Sequence, residues 1–186
     1  MRAIQEAIIL IYFVTANQGK FEEARGILGE VEQKNLGYVE IQAETLEEVA
    51  AYGIREVAEK LAGRVMIEDA GLFIEGLKGF PGVYSAYVFD TIGNEGILRL
   101  MEGMKDRRAA FRSVVAYAEP GGEPVFFKGE VGGEIAALPR GSWGFGYDPI
   151  FEVGNKTIAE MDLSEKNEIS HRGASIRGLQ SWLSSR

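Results

Sequence analysis

The chain has no cysteine, which excludes a disulfide scaffold, a thiolate metal site and a cysteine nucleophile. Its single histidine, His171, excludes a multi-histidine zinc centre. Long apolar runs are missing too: no stretch of roughly eighteen apolar residues exists to span a membrane. Gln5 and Glu6 interrupt any leader-like apolar segment, so a cytoplasmic protein is expected. Positive charge is scarce, with 20 Lys and Arg against 28 Asp and Glu and a net charge of −8, which argues against a surface that grips long nucleic acids. A small polyanion would need local help from helix N-termini, a few cations or a divalent ion held by acidic residues.

What is present can bury a substantial core: 186 residues, 46% of them apolar, with no linker or repeat, suit one domain over 1–186. The apolar run from Ile8 to Val14 reads as a first strand, with residues 1–7 as its lead-in. It feeds into Thr15-Ala16-Asn17-Gln18-Gly19-Lys20 and then a helical stripe of Phe21, Ala24, Ile27, Leu28 and Val31, closing near Gly29. Free N–H groups at a helix N-terminus, beside a lysine, suit phosphate oxygens. Phe21 after Lys20 rules out a Walker A loop, and Pro149 stands where a dinucleotide fingerprint beginning at Gly144 needs its third glycine.

Tyr38 to Glu44 looks extended, and Thr45 with Glu48 forms a capping box for a second helix that buries Leu46, Val49, Ala50, Ile54, Val57 and Leu61 and stops at Gly63. Val65-Met66-Ile67 reads as a strand buried on both faces, ending in Glu68-Asp69, with a turn and a second extended piece from Ala70 to Ile74. Ile97, Leu100, Met101 and Met104 suggest a third helix. Ala109–Ala118 and Val125–Ile135 read as a hairpin, and Ile169, Ile176, Leu179 and Leu183 as one terminal helical stripe. The sum is an α/β fold with a mixed sheet.

Several groups invite chemistry. Alternation in an extended segment puts Glu40 and Glu44 on one side with Gln42 between, suited either to a cation or to a solvated acidic edge. Asp69, at the end of a buried strand, sits where open α/β sheets bind ligands or where a carboxylate caps a turn; Glu68 should point the other way. Trp143, Phe145 and Tyr147, with Asp148, offer stacking faces for a base or half of a core strand. On one continuous helix, His171 and Arg172 would lie about 140° and about 240° around from Lys166. A break at Ser170, with Ser170 capping a new helix, would bring the three together. A lone histidine is more often a satisfied structural residue than a catalyst.

These pieces together resemble the inosine triphosphate pyrophosphatases: TANQGK at 15–20, EIQAE at 40–44, EDAGL at 68–72, FPGVYSA at 80–86, GFGYDPIF at 144–151 and EKNEISHRG at 165–173 follow in family order across nearly the whole chain. The resemblance implies an elongated twisted mixed sheet flanked by helices, two lobes around a central cleft, and a homodimer. It implies hydrolysis of ITP, dITP and XTP to the nucleoside monophosphate and pyrophosphate, cleansing the nucleotide pool, with Mg²⁺, or Mn²⁺ in its place. The turn Thr15, Ala16, Asn17, Gln18, Gly19 and Lys20 would hold the triphosphate, Glu40 and Asp69 the metal. Asp69 would also activate water, with Lys20 assisting catalysis. Phe145, Gly146, Tyr147 and Asp148 would form the base and sugar pocket, closed by Lys166, His171 and Arg172. Two positions depart from the family: Ala70 follows the aspartate where many relatives have serine, and Gly53 stands near a helix-two lysine of some relatives. Ala70 keeps a non-catalytic nucleotide sensor in view as an alternative, alongside a related pyrophosphatase of standard or modified nucleotides.

Overall fold

The computed structural model describes residues 10–186, so Ile8, Ile9 and the expected lead-in lie outside the described residues. Strand β1 is Ile11–Val14, and the polar turn after it becomes the start of helix α1, Gln18–Leu28. Asn17 caps that helix, its side chain accepting the Lys20 N–H at 3.0 Å. Gly29 closes it at φ 78°, a left-handed turn that glycine makes without steric cost. The turn is tight enough that Val31, expected on the helical stripe, opens strand β2 instead, Val31–Lys34. Val31 is still buried, reaching the same core from a strand parallel to β1.

The segment Tyr38–Glu44 joins no sheet, so no strand pairing fixes the expected alternation of Glu40, Gln42 and Glu44. Thr45 and Glu48 do form the capping box, starting helix α2 at Leu46–Lys60. It closes at Leu61, short of Gly63.

Strand β3 is continuous over Arg64–Ile74, and the expected turn after Asp69 is replaced by unbroken antiparallel pairing with β4, Arg108–Ala118. Strand β5, Val125–Ile135, completes the expected hairpin, and the short β6, Phe151–Val153, and β7, Lys156–Thr157, close the sheet. The order is β2-β1-β3-β4-β5-β6-β7, parallel among the first three strands and antiparallel thereafter, hence a mixed seven-stranded sheet. β1 pairs with β3 from Arg64 to Met66; from Ile67 onward β3 leaves β1 behind and stays with β4. Glu68 and Asp69 therefore lie mid-strand, just past the end of β1.

Helix α3, Ser85–Leu100, starts well before the expected Ile97 and carries a break at Gly93, where φ is 60° and ψ −164°. The terminal helical pattern is two helices, α4 at Leu163–Ile169 and α5 at His171–Ser184. Ile169 ends α4 with an exposed side chain, while Ile176 and Leu179 are buried. On one sheet face Val65, Ile67, Val114 and Ala116 pack under Leu46, Ala50, Ile54 and Val57 of α2. On the other, Met66, Val115 and Tyr117 pack under Ala24 of α1 and Ile176 and Leu179 of α5. A third cluster joins Val88 and Ile97 of α3 to Leu72, Ile74, Phe111 and Phe151. Each large side chain so buried contributes about 1.5–3 kcal/mol. Among the described residues no helix is long and apolar enough to cross a membrane.

Candidate active site

Strand alternation separates the adjacent carboxylates Glu68 and Asp69 onto opposite sheet faces, as the sequence suggested. Glu68 is buried on the α1 and α5 side, where Lys20 reaches it at 2.9 Å and also donates to its main-chain oxygen at 3.1 Å. Arg172 Nε stands 3.1 Å from the other carboxylate oxygen. Ser113 donates to that same oxygen at 2.6 Å. Burial opposes ionisation of Glu68, yet Arg172 and Lys20 outweigh it and hold the carboxyl far below its usual range.

This is one corner of a larger buried network. Glu23 on α1 accepts from Lys166 at 2.7 Å and from Arg172 at 2.9 Å, and Lys166 also donates to Asp148 at 2.7 Å. Three cations, Lys20, Lys166 and Arg172, thus face three carboxylates, Glu23, Glu68 and Asp148. Burial raises Glu23 while Arg172 and Lys166 lower it further, leaving it ionised below its ordinary value; for Asp148 burial prevails and the net direction is upward. Each cation is thus paired with at least one carboxylate inside the cluster.

The convergence depends on the break at Ser170, whose hydroxyl accepts the Gly173 N–H at 3.0 Å and caps α5. Lys166 and Arg172 then meet over one aromatic ring, Phe145, at 4.5 and 5.3 Å from its centroid. Small residues let α5 sit close on the sheet: Ser113 and Ser175 bond at 2.9 Å, and a side chain at Gly129 would collide with the His171 carbonyl. His171 is buried and stacked on Phe111 with centroids 4.7 Å apart. Burial and then the Arg172 charge hold its pKa well below 6.5, so it is neutral at neutral pH.

The aromatic loop divides its labour. Tyr147 turns into the core and donates its hydroxyl to the Ser85 carbonyl at 2.9 Å, whereas Trp143 is 65% exposed. Phe145 alone of the three faces the cations, and its ring packs against Gly19: a Cβ there would come within 2.5 Å of it. Asp148 accepts the Phe145 N–H at 2.8 Å. Thr15 Oγ1 accepts the Asn17 N–H at 3.1 Å, and Ala16 and Gln18 complete an exposed turn beside them.

On the α2 face, Asp69 Oδ1 accepts the Ala70 N–H at 3.0 Å, while Oδ2 is buried with no partner. Burial first, then the charges of Glu68 and Glu40, push this carboxyl up to about 7 against the pull of Lys20. Glu40 is exposed on the loop beside it, so the two acids are close enough to repel. An orphaned buried carboxylate oxygen with a second acid nearby fits a hard cation with oxygen ligands. Among the described residues no three acidic or imidazole groups gather closely enough to hold a metal by themselves. Glu44 lies further along, on the wall of a cavity of about 530 Å³ with Thr45, Phe73, Arg112 and Lys128.

The two departures acquire a physical meaning. Alternation turns the Ala70 methyl to the Glu68 face, opposite Ser113 in register and away from the Asp69 carboxylate. Gly53 lies under the half-buried Tyr38 ring, where a Cβ would approach to 2.7 Å. Burial first, then Glu40, Asp69 and Glu68, raises the Tyr38 hydroxyl pKa.

Sequence reasoning missed Glu23, Ser113 and Asn94. Glu23 had a signal: it stands three residues after Lys20 and four before Ile27, inside the buried arc of α1, where an unpaired carboxylate would be costly. Asn94 had none, because its place follows from the break in α3.

A family model described as the Ham1 family matches residues 11–182. A dITP/XTP pyrophosphatase of Methanopyrus kandleri is 56% identical, covering 92% of this chain and 95% of its own. One of Thermococcus kodakarensis is 55% identical, over 92% and 95%. The solved structure of a HAM1 protein from Coxiella burnetii superposes with a TM-score of 0.84 at 32% identity, over 96% of this chain and all of the other.

Proposed function

Because the chain belongs to the Ham1 family, we propose that it hydrolyses the purine nucleoside triphosphates its relatives are named for, dITP and XTP, together with ITP, releasing the nucleoside monophosphate and pyrophosphate. The observation that carries this reading is the meeting of Lys166 and Arg172 over Phe145, packed on Gly19 at the Asn17-capped start of α1, which Lys20 ties to β3 at Glu68, the residue before Asp69. That arrangement provides a place for a flat base, N–H groups for phosphate and a carboxylate for water.

The cations are suited to reading the base. Lysine and arginine donate and never accept. Lys166 directs two of its three donors at Glu23 and Asp148, which leaves one for a ligand. Hypoxanthine and xanthine present a carbonyl oxygen at the 6-position, where adenine presents an amino group, and a donor facing a donor costs about 1–3 kcal/mol, or roughly 10- to 100-fold against ATP.

In this reading Thr15, Asn17, Lys20 and the α1 N-terminus bind the triphosphate, and Asp69 holds the attacking water by its orphaned oxygen and accepts its proton. Glu40 and Asp69 would hold Mg²⁺ or Mn²⁺ jointly with substrate oxygens, the usual arrangement where a protein offers one or two carboxylates. Such an ion would add charge neutralisation for the leaving pyrophosphate beyond what the carboxylate-paired Lys20 supplies. Ala70 lies on the Glu68 face that Lys20 reaches, so its methyl removes at most one hydroxyl contact to phosphate and leaves the Asp69 carboxylate untouched. A cytoplasmic homodimer remains part of this reading, and sedimentation of the wild-type chain tests the dimer.

The test is pyrophosphate release from ITP, XTP, dITP, GTP and ATP with and without Mg²⁺. Efficient, metal-dependent turnover of the first three and a loss of about 100-fold or more in Asp69→Asn are expected. Release of inorganic phosphate, or equal turnover of ATP, would refute it.

A further inference from the structure

The base-facing loop is held from an unexpected direction. Phe145 stands between two glycines in the left-handed region, Gly144 at φ 76° and Gly146 at φ 62°, so its neighbours give the ring little backbone restraint of their own. On the carboxyl side the loop is pinned to α3. Asn94 donates its side-chain amide to the Gly146 carbonyl at 3.0 Å, and Tyr147 bonds to the Ser85 carbonyl and meets Phe89 edge to face at 5.2 Å. Asn94 is placed there by the break at Gly93, which turns the following residue out of the regular helical path.

Asn94 also carries a cost. Its Oδ1 is buried without a partner, so the residue leaves an acceptor unsatisfied while making a single bond to a carbonyl. An alanine would avoid the orphan. A polar side chain kept under that penalty points to the one bond it makes.

We propose that Asn94 is a positioning residue for base recognition: through the Gly146 carbonyl it sets where Phe145 lies over Lys166 and Arg172, and so governs affinity for the nucleoside end of the substrate while leaving the phosphate end untouched. This rests on the function proposed above. The Phe145 ring touches Gly19, but the loop contributes no hydrogen bond to Asn17 or Asp69, so the latch acts on the nucleoside end through Phe145 rather than on the groups that cap α1 or activate water.

The test compares two variants. Asn94→Asp keeps the shape but removes the donor, and Asn94→Ala removes donor and orphan together, which offsets the lost bond and preserves folding. Both should raise KM for ITP about tenfold, the equivalent of one good hydrogen bond, with kcat nearly unchanged. Inhibition by inorganic tripolyphosphate with Mg²⁺ should stay at the wild-type level. A merely structural role would instead change both constants together, or neither, and either result overturns the proposal. Should Asn94→Asp not fold, Asn94→Ala decides alone. If wild-type protein releases no pyrophosphate from any of the three substrates, the functional reading fails, and the latch is judged by spectroscopy. In a Trp182→Phe background Trp143 is the sole tryptophan, and Asn94→Ala must then lower its fluorescence anisotropy; an unchanged value rejects the latch.

Discussion

Replacing Glu23 by glutamine removes one negative charge from the centre of the buried network without changing its shape. The wild-type cluster sets three cations against three carboxylates, with Glu23 bridging Lys166 at 2.7 Å and Arg172 at 2.9 Å. After substitution Lys166 retains Asp148 and Arg172 retains Glu68, but one buried positive charge is uncompensated. Breaking a buried pair from one side costs about 3–5 kcal/mol. Glutamine keeps one acceptor oxygen, which places the expectation at the lower end, about 3 kcal/mol. For a chain of this size that is a fall in Tm of roughly 6–12 °C. The pH dependence adds a second constraint. Glu23 is held below its unfolded value, so its contribution is complete above the unfolded pKa of about 4.3 and fades as pH drops through the lower folded value. Urea denaturation of both proteins at pH 7, 5 and 3.5 measures this. The gap should be full at pH 7 and 5 and narrow at the lowest pH. A gap under about 1 kcal/mol at pH 7, or one that ignores pH, would show that the network is not the stabilising unit described.

Asp69 behaves with the opposite sign. Its folded carboxyl titrates near 7, above the unfolded value, so chelator-treated protein should lose stability as pH rises from about 4 to about 7, by at most about 4 kcal/mol. Asp69→Asn should flatten that decline and be more stable than wild type at pH 8, as thermal scans would reveal; a variant no more stable at pH 8 contradicts the burial argument. Gly53→Ala should push on the Tyr38 ring and cost about 1–3 kcal/mol, with Tyr38→Ala relieving most of the loss in a double-mutant cycle. Additive losses would mean the two do not touch in solution.

The sequence made the local signals legible. The Thr45 cap, the hairpin from β4 to β5 and the break at Ser170 each follow from side chains that bond to backbone within three residues, or from period-two alternation. The failures share a different cause. Tyr38–Glu44 has strand composition and no strand partner, while Glu68-Asp69-Ala70-Gly71 has turn composition and is held straight by β4. In both places the presence or absence of a partner strand decided the outcome against local preference. At the candidate site the residue types could be read along the chain, but the bonds that occupy them could not. Lys166 and Arg172 looked like free donors for a base, and their commitment to Glu23, Asp148 and Glu68 depends on α1, β3 and the 145–148 loop folding against α4 and α5. Tyr147 kept an aromatic pattern while its ring was claimed by α3.

The bond from Arg172 to Glu23 spans 149 residues of chain. Glu23 emerges early in synthesis and must wait for α4 and α5, the last segments made, before its charge finds a partner. Until then the first strand and helix carry a carboxylate facing an apolar surface with nothing to neutralise it, and closing so long a loop is slow. The cation cluster of the candidate site is therefore complete only once the last two helices have docked. A ribosome-stalled chain lacking residues beyond Ile169 would have its sheet strands available but would bind no nucleotide, so the appearance of binding would itself time the docking of the final helix.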